Sequence, residues 1–197
     1  MKHICTIVVF LLIATTTMLQ AQVQQPFIVT VYGGLFFPAN FHYNEVYQSN
    51  SDLIYGFGIG LPVNRYLIVT GDMSFFKSEA LIAQVTDSVT KLEQKFIHVG
   101  LLSKQPVTES LSLRLSGGLN YISITQSTIG PQSSEQSTEA EKKLGYFAGL
   151  GIEHLFEGGR TALFADVVYD YRRIHDINFN GDYGGTRCVV GVNFILF

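Results

Sequence analysis

The 197-residue chain lacks tryptophan, has only two cysteines and carries few charges, which make up 15% of its residues. Because an average soluble domain has about 25% charged residues, this composition is unusually apolar. The formal net charge is −3 and no basic run occurs, which argues against a nucleic-acid partner, since that would need a basic stripe. Cys5 lies in the N-terminal segment, so the remainder contains only Cys188 and has no possible internal disulfide.

Long apolar runs are absent beyond the N-terminus, which excludes a further transmembrane helix. The N-terminal segment has a short positive end, an apolar run at residues 7–14 and a small-residue site ending at Ala21. A spanning helix would need roughly 20 apolar residues, and the threonines at 15–17 end this run much earlier. The pattern predicts a signal peptide at residues 1–21, cleaved after Ala21, and one mature domain at 22–197.

Period-two alternation dominates the rest of the sequence. In "LSLRLSGGLNYISI", at 111–124, leucines and Tyr121 occupy one face, whereas Arg114, Asn120 and small residues occupy the other. In "LIYGFGIGL", at 53–61, a bulky face opposes one isoleucine and three glycines. Such alternation is typical of β-strands that separate two different surroundings. It predicts eight strands, at about 27–37, 52–61, 66–76, 94–104, 111–125, 143–156, 161–174 and 186–197.

The two strand faces distinguish among a soluble ligand-holding barrel, a β-sandwich and a membrane barrel. A soluble barrel places bulky apolar side chains inside and charges outside. Here the second face is small and polar, as the narrow interior of an eight-stranded barrel requires, and the bulky face is then tolerated outside only in lipid. The predicted strands also have about the 9–11 residues that cross a bilayer at a tilt. The sequence therefore predicts an all-β fold, an eight-stranded antiparallel up-and-down transmembrane barrel.

The connectors between the strands alternate in length. Those after strands two, four and six are turn-like, "PVNR", "QPVTES" and "EGGR", whereas those after strands one, three, five and seven are longer and polar. Short periplasmic turns and long extracellular loops are typical of outer-membrane barrels. Because every backbone polar group must be paired in lipid, strand eight is expected to pair with strand one.

Outward aromatic side chains concentrate near the two ends of the strands. Amphipathic rings accumulate at membrane interfaces, so these residues predict two girdles. The girdle near the long loops would contain Tyr55, Phe75, Tyr121, Tyr146, Tyr169 and Tyr171, and a less regular one at the other rim Phe27, Tyr66, Phe156 and Phe194.

The alternation, the connector pattern and the final strand, "GVNFILF", together resemble the small outer-membrane barrels of the OmpA/OmpX type, in the form of the outer membrane β-barrel domains of Bacteroidetes-like bacteria. The resemblance covers residues 27–197. It implies that Gly191, Phe194, Leu196 and Phe197 form the signal read by the outer-membrane assembly machinery, with Phe197 one residue beyond the usual end. Since no sequence follows this strand, we expect no peptidoglycan-binding domain.

Charged and polar side chains recur on the face assigned to the lumen. Buried charges need partners, so we expect Arg–carboxylate pairs across the interior. Two interpretations stay open, a structural plug that keeps the barrel rigid and the lining of a narrow pore. The residues are Asp72, His98, Arg114, Asn120, Glu153, Asp166, Asp170, Arg172, Arg187 and Asn193.

No motif indicates catalysis or a cofactor. Barrels related to the lipid A deacylases share a His-x-Ser-Asn motif, and neither His98 nor His154 begins one. "DINFNGD" begins like a calcium loop at Asp176, but Arg187 stands where such a loop requires Glu. We therefore predict no enzyme activity, catalytic residue, cofactor or metal site.

The combined prediction is a non-enzymatic integral protein of the bacterial outer membrane, a scaffold that displays its four long loops. The alternative is a porin-like channel for ions or small solutes through the charged lumen. The expected partners are outer-membrane lipid, lipopolysaccharide, the barrel assembly machinery during biogenesis and an unknown extracellular partner of the loops, with no nucleic acid.

Overall fold

The computed structural model describes residues 26–39, 51–82, 88–129, 135–139, 143–175, 180–182 and 184–196. Within these residues the regular structure is entirely β-strand, and no helix is long and apolar enough to cross a membrane. The expected signal peptide and Phe197 lie outside the described residues. The strands are β1 (Phe27–Pro38), β2 (Asp52–Pro62), β3 (Leu67–Ile82), β4 (Ser88–Pro106), β5 (Leu111–Ile129), β6 (Glu135–Glu139), β7 (Lys143–Leu155), β8 (Thr161–Tyr171), β9 (Arg173–His175), β10 (Asn180–Asp182) and β11 (Gly185–Leu196).

Eight of these strands close into one antiparallel barrel. The hydrogen-bonded order runs β4, β3, β2, β1, β11, β8, β7 and β5, and β5 returns to β4. The seam between the first and last strands is continuous from Phe27, opposite Leu196, to Pro38, opposite Gly185. Such closure pairs the backbone groups that lipid cannot satisfy. The predicted eight-stranded antiparallel barrel, including the pairing of its first and last strands, is confirmed.

Tight turns join the wall strands at one end of the barrel, which we call the inner end; the opposite end is the outer end. Asn64 stabilises the first turn by accepting hydrogen bonds from two backbone N–H groups. Thr108 accepts one in the second turn, at 3.0 Å. In the third turn Gly158 and Gly159 have φ angles of 91° and 68°, a left-handed conformation that glycine adopts without strain.

Side chains along the wall strands alternate between the lumen and the outside. On β2, Leu53 is 72% exposed, whereas the next residue, Ile54, is 1% exposed. The glycines of β2 let the interior pack closely, because a Cβ atom on Gly58 would lie 2.7 Å from the Cβ atom of Asp72. An outer surface covered by large apolar side chains is unsuited to water and suited to the hydrocarbon of a bilayer.

Outward aromatic rings stack in pairs toward the outer end. Tyr55 stacks on Phe75 with ring centroids 5.7 Å apart, and Tyr146 stacks on Tyr171 at 5.1 Å. Four rings toward the inner end also remain exposed, those of Phe27, Tyr66, Phe156 and Phe194. Rings at both ends of the wall match the girdles of outer-membrane barrels.

Three wall strands extend further at the outer end than the sequence predicted. β3 continues to Ile82 and β4 begins at Ser88, where ends near 76 and 94 were expected. Much of the stretch predicted as the third connector is therefore strand, and residues 83–87 lie outside the described residues. β5 continues to Ile129 and pairs there with β6, which lies in a segment predicted to be loop. β8 ends earlier than predicted, at Tyr171.

A ladder of opposite charges accounts for the longer β3 and β4. Lys77 lies opposite Glu93 in the register and pairs with it at 3.2 Å, and Glu79 lies opposite Lys91 with a separation of 3.3 Å. Opposite charges at facing positions stabilise antiparallel strands. The hydrogen bond to Glu93 also raises the pKa of Lys77. Because charged residues such as Lys77, Glu79 and Glu93 occupy the outward positions of this extension, its composition resembles that of a loop.

The barrel interior contains two apolar groups that the sequence did not predict. The larger, which we call the outer plug, consists of six side chains at the outer end, each at most 1% exposed: Phe36, Ile54, Phe76, Phe96, Ile122 and Ile124. The smaller, the inner apolar cluster, consists of Ile28, Ile68, Leu102 and Ile195. The expectation of a small, polar lumen therefore holds only between these two groups.

Two glycines of the β1–β11 seam differ in the space around them: Gly191 has no room for a Cβ atom, whereas Gly33 has. A Cβ atom at Gly191 would lie 2.5 Å from the backbone oxygen of Val31 and 2.6 Å from the Phe164 ring, whereas one at Gly33 would meet no atom closer than 3.7 Å. We expect Gly191→Ala to cost about 1–3 kcal/mol of stability through overpacking, and Gly33→Ala to cost far less. The temperature at which the heat-dependent gel shift occurs measures the stability of each variant. An equal decrease in that temperature for the two variants would contradict the predicted difference.

Candidate functional site in the barrel lumen

Four charged side chains from neighbouring strands meet in the inner half of the lumen. Arg114 binds Asp166 in a fork, with Nε 2.9 Å from Oδ1 and Nη2 3.0 Å from Oδ2. Its other terminal nitrogen donates to Glu153 at 2.5 Å, and Lys104 donates to the second oxygen of Glu153. We call Lys104, Arg114, Glu153 and Asp166 the inner cluster.

Neighbouring side chains fix the inner cluster in place. The amide nitrogen of Asn193 donates to Glu153 at 2.7 Å, and Thr30 donates to the amide oxygen of Asn193 at 2.7 Å. The guanidinium of Arg114 lies 4.3 Å from the centre of the Phe164 ring, a favourable cation–π distance. Because Thr30 is on β1 and Asn193 on β11, the cluster also connects to the seam that closes the barrel.

A second cluster lies between the inner cluster and the outer plug and spans the lumen. Tyr32 donates to Asp72 at 2.6 Å, and the two nitrogens of His98 lie 3.1 Å from Asp72 and 2.7 Å from Asp170. Arg187 forms an ion pair with Asp170 at 2.9 Å and donates to the Tyr32 hydroxyl at 3.2 Å. We call Tyr32, Asp72, His98, Asp170 and Arg187 the outer cluster.

Both clusters are electrically balanced. A neutral imidazole has a single N–H, so hydrogen bonds from both nitrogens of His98 to carboxylates require the doubly protonated ring. The outer cluster then contains two cations, His98 and Arg187, and two carboxylates. The inner cluster likewise contains two cations and two carboxylates. Paired charges avoid the large cost of isolated ions in a low-dielectric interior.

A small cavity of about 80 Å³ separates the two clusters. Its lining includes the hydroxyls of Thr30, Tyr32 and Thr70, and charged groups from both clusters. The space is large enough for several water molecules, each of which needs about 15 Å³ or less of accessible volume. Its lining also includes apolar side chains such as Ile28 and Phe147, and the plug fills the outer end of the lumen.

Nine of the ten side chains assigned to the lumen from the sequence take part in the contacts of the two clusters. The tenth, Arg172, is buried directly after β8. The sequence interpretation missed Lys104 and Tyr32. Alternation provided a signal for Lys104, which has the same parity on β4 as His98, and hydrogen-bonding capacity inside the barrel was the signal for Tyr32.

No metal or catalytic centre is evident in the described part of the chain. Within it, no group of three His, Cys, Asp or Glu residues is arranged to hold a metal ion, and residues 176–179 of the calcium-like stretch lie outside it. Both nitrogens of His98 are held by carboxylates, so this ring has no free nitrogen with which to accept a proton from a substrate.

A family comparison agrees with this architecture. The model of the outer membrane protein beta-barrel domain family matches residues 8–195. The chain therefore belongs to this family, whose members reside in the bacterial outer membrane. A comparison with curated proteins gave no match.

Solved outer-membrane barrels share the fold at low sequence identity. Neisserial surface protein A is 13% identical, with a TM-score of 0.59 over 86% of this chain and 96% of its own. Ail, the attachment invasion locus protein of Yersinia pestis, is 13% identical, with a TM-score of 0.52 over 87% and 97%. OprG from Pseudomonas aeruginosa is 12% identical, with a TM-score of 0.55 over 87% and 95%. At these identities the similarity concerns the fold.

Replacing Arg114 tests how much the inner cluster contributes to the stability of the barrel. Arg114→Met keeps much of the side-chain volume but removes the cation shared by Glu153 and Asp166, so we expect the free energy of unfolding to fall by about 3–5 kcal/mol. The matched control is Arg160→Met, at an exposed turn position, with an expected change within about 0.5 kcal/mol. Denaturant unfolding of the folded barrel measures both, and similar values for the two variants would contradict a buried structural ion cluster.

Proposed function

We propose that the protein is a non-enzymatic scaffold of the bacterial outer membrane that displays its outer end at the cell surface. The observation that carries the proposal is the sheet formed where β3, β4, β5 and β6 continue beyond the stacked aromatic rings. Its outward face carries the Lys77–Glu93 and Lys91–Glu79 pairs, which belong in water. A wall that continues past the membrane as a charged sheet offers a rigid surface to an extracellular partner.

The interior supports a scaffold over an enzyme. Catalytic groups need access to a substrate, but the charged side chains of the lumen satisfy one another and lie behind the outer plug. The carboxylates of both clusters are held by cations or by the Tyr32 hydroxyl. An interior cross-linked by these contacts holds the wall in shape, which is the mechanical requirement for displaying loops.

One solved barrel with the same fold contains a bound ligand. Ail from Yersinia pestis has been solved in complex with the heparin analogue sucrose octasulfate, with a TM-score of 0.55 to this chain. For the present protein we propose lipid and lipopolysaccharide around the wall and an extracellular partner on the outer end. The alternative function is a narrow channel, which the hydrated cavity between the clusters favours. Discrete currents from the wild-type protein in planar bilayers would support the channel.

Surface labelling tests the orientation on which display depends. Single cysteines replace Glu79, on the extended β3, or Glu109, in an inner-end turn, in a Cys188→Ala background; both glutamates are exposed. We expect a membrane-impermeant maleimide to label Glu79→Cys on intact cells, and Glu109→Cys only after the outer membrane is permeabilised. Labelling of Glu109→Cys but not Glu79→Cys on intact cells would reverse the orientation and refute display.

We also propose that an N-terminal signal peptide directs export, and that Gly191, Phe194, Leu196 and Phe197 then act in assembly into the outer membrane. Support comes from β11, on which Phe194 and Leu196 face outward while Gly191 faces the lumen, and from the pairing of Phe194 with Val29 across the seam.

Deleting residues 194–197 should abolish assembly, because the inner end of β1 would lose its partner in lipid. Cell fractionation and the heat-dependent gel shift report the outcome. The control is Cys188→Ala, on the outward face of the same strand, which leaves the seam and the four proposed signal residues in place and should assemble like wild type. A truncated chain recovered folded in the outer membrane would refute the role of this segment.

A further inference from the structure

We propose that the barrel contains a latent ion path whose barrier is the outer plug, and that the buried ion clusters do not close it. The inference takes from the proposed function only that the unmodified barrel is closed. It assigns the closure to six apolar side chains at the outer end and treats the polar lumen beneath them as already hydrated.

The outer plug has the properties of a hydrophobic constriction. Its members come from five consecutive wall strands, β1 to β5, and each is at most 1% exposed. The Phe36 ring packs edge-to-face against Phe76 at 4.9 Å and against Phe96 at 5.2 Å. Apolar constrictions exclude water and therefore block ions without any charged gate. The contacting rings occupy space that the hydration shell of an ion would need, while buried polar side chains such as Gln94, opposite Phe76 in the register, lie at the same level.

The lumen immediately beneath the outer cluster contains space. The cavity of about 80 Å³ is bordered by hydroxyls and charges such as Thr30, Thr70 and Asp72, by apolar side chains such as Phe147, and by none of the six plug residues. Water in such a space, beside hydroxyls and paired charges, provides a permissive environment for an ion. The narrowing by large apolar side chains begins only beyond the outer cluster.

The inner end carries no comparable barrier. The inner apolar cluster draws Ile28, Ile68, Leu102 and Ile195 from β1, β3, β4 and β11 and no side chain from β5, β7 or β8. Beside it lie Glu153, on β7, and the Lys104 side chain, which reaches Glu153 from β4 and is 14% exposed. Because a polar strip continues past the apolar cluster, water has a route to the cavity from this end.

The ion clusters are poor candidates for the gate because each of them is neutral. A neutral set of paired charges imposes little net field on a passing ion. In addition, the guanidinium of Arg114 and the ring of His98 are each held by two carboxylates, so movement of either group would leave unpaired charge behind. Truncating an apolar ring leaves no unpaired charge and opens the constriction directly.

Single-channel recording of matched truncations tests the proposal. Wild type, Phe36→Ala, Phe96→Ala and Leu102→Ala are reconstituted separately in planar bilayers with KCl on both sides. We expect discrete currents from both phenylalanine variants and none from wild type. Leu102→Ala removes an apolar side chain of the inner cluster instead, and we expect it to remain like wild type.

The heat-dependent gel shift confirms that each recorded variant is a folded barrel. If neither phenylalanine variant folds, Ile54→Ala, which removes less volume from the same plug, replaces them with the same expected outcomes. Folded plug variants that conduct no more than wild type would overturn the plug as the barrier, and so would currents from Leu102→Ala equal to theirs. Currents from wild type that plug truncation increases would instead refute the closed scaffold and leave the plug as the constriction.

Discussion

The requirement that every backbone polar group be paired inside a membrane governs this structure. Water is absent from the hydrocarbon region, so an open sheet edge would leave N–H and C=O groups unsatisfied at a cost of several kcal/mol each. The continuous pairing of β1 with β11, from Phe27 opposite Leu196 to Pro38 opposite Gly185, removes both edges. Closure in turn divides the side chains of the membrane-spanning wall into two sets, one in lipid and one in a narrow lumen.

The narrow lumen imposes its own chemistry. Glycines such as Gly58 and Gly191 leave room for Asp72 and the Phe164 ring, and the charges that enter must arrive in balanced numbers because desolvation is expensive. The inner cluster, the outer cluster and the outer plug divide the interior into layers of different polarity. A rigid and filled interior is consistent with a wall that carries a surface rather than a wide pore.

Much of this architecture could be predicted from alternation alone. Leu53 and Ile54, neighbours with similar chemistry, were assigned to opposite faces and have opposite exposure. The prediction failed where alternation continued in polar residues, as at Lys77 and Glu79, because a charged strand beyond the membrane resembles a loop in composition. It also missed Lys104 as the partner of Glu153, since two residues 49 positions apart meet only through strand register.

The sequence by itself determined the class of protein, because side-chain period, connector length and the apolar outward face are local properties that closure in lipid converts into one fold. Only the tertiary structure decided which charges pair, that Tyr32 and Arg187 belong to one cluster with His98, and that Phe36, Phe76 and Phe96 meet in one plug. Those contacts depend on the relative stagger of strands distant in sequence. Stagger is fixed by the packing of the whole ring, and no local pattern encodes it.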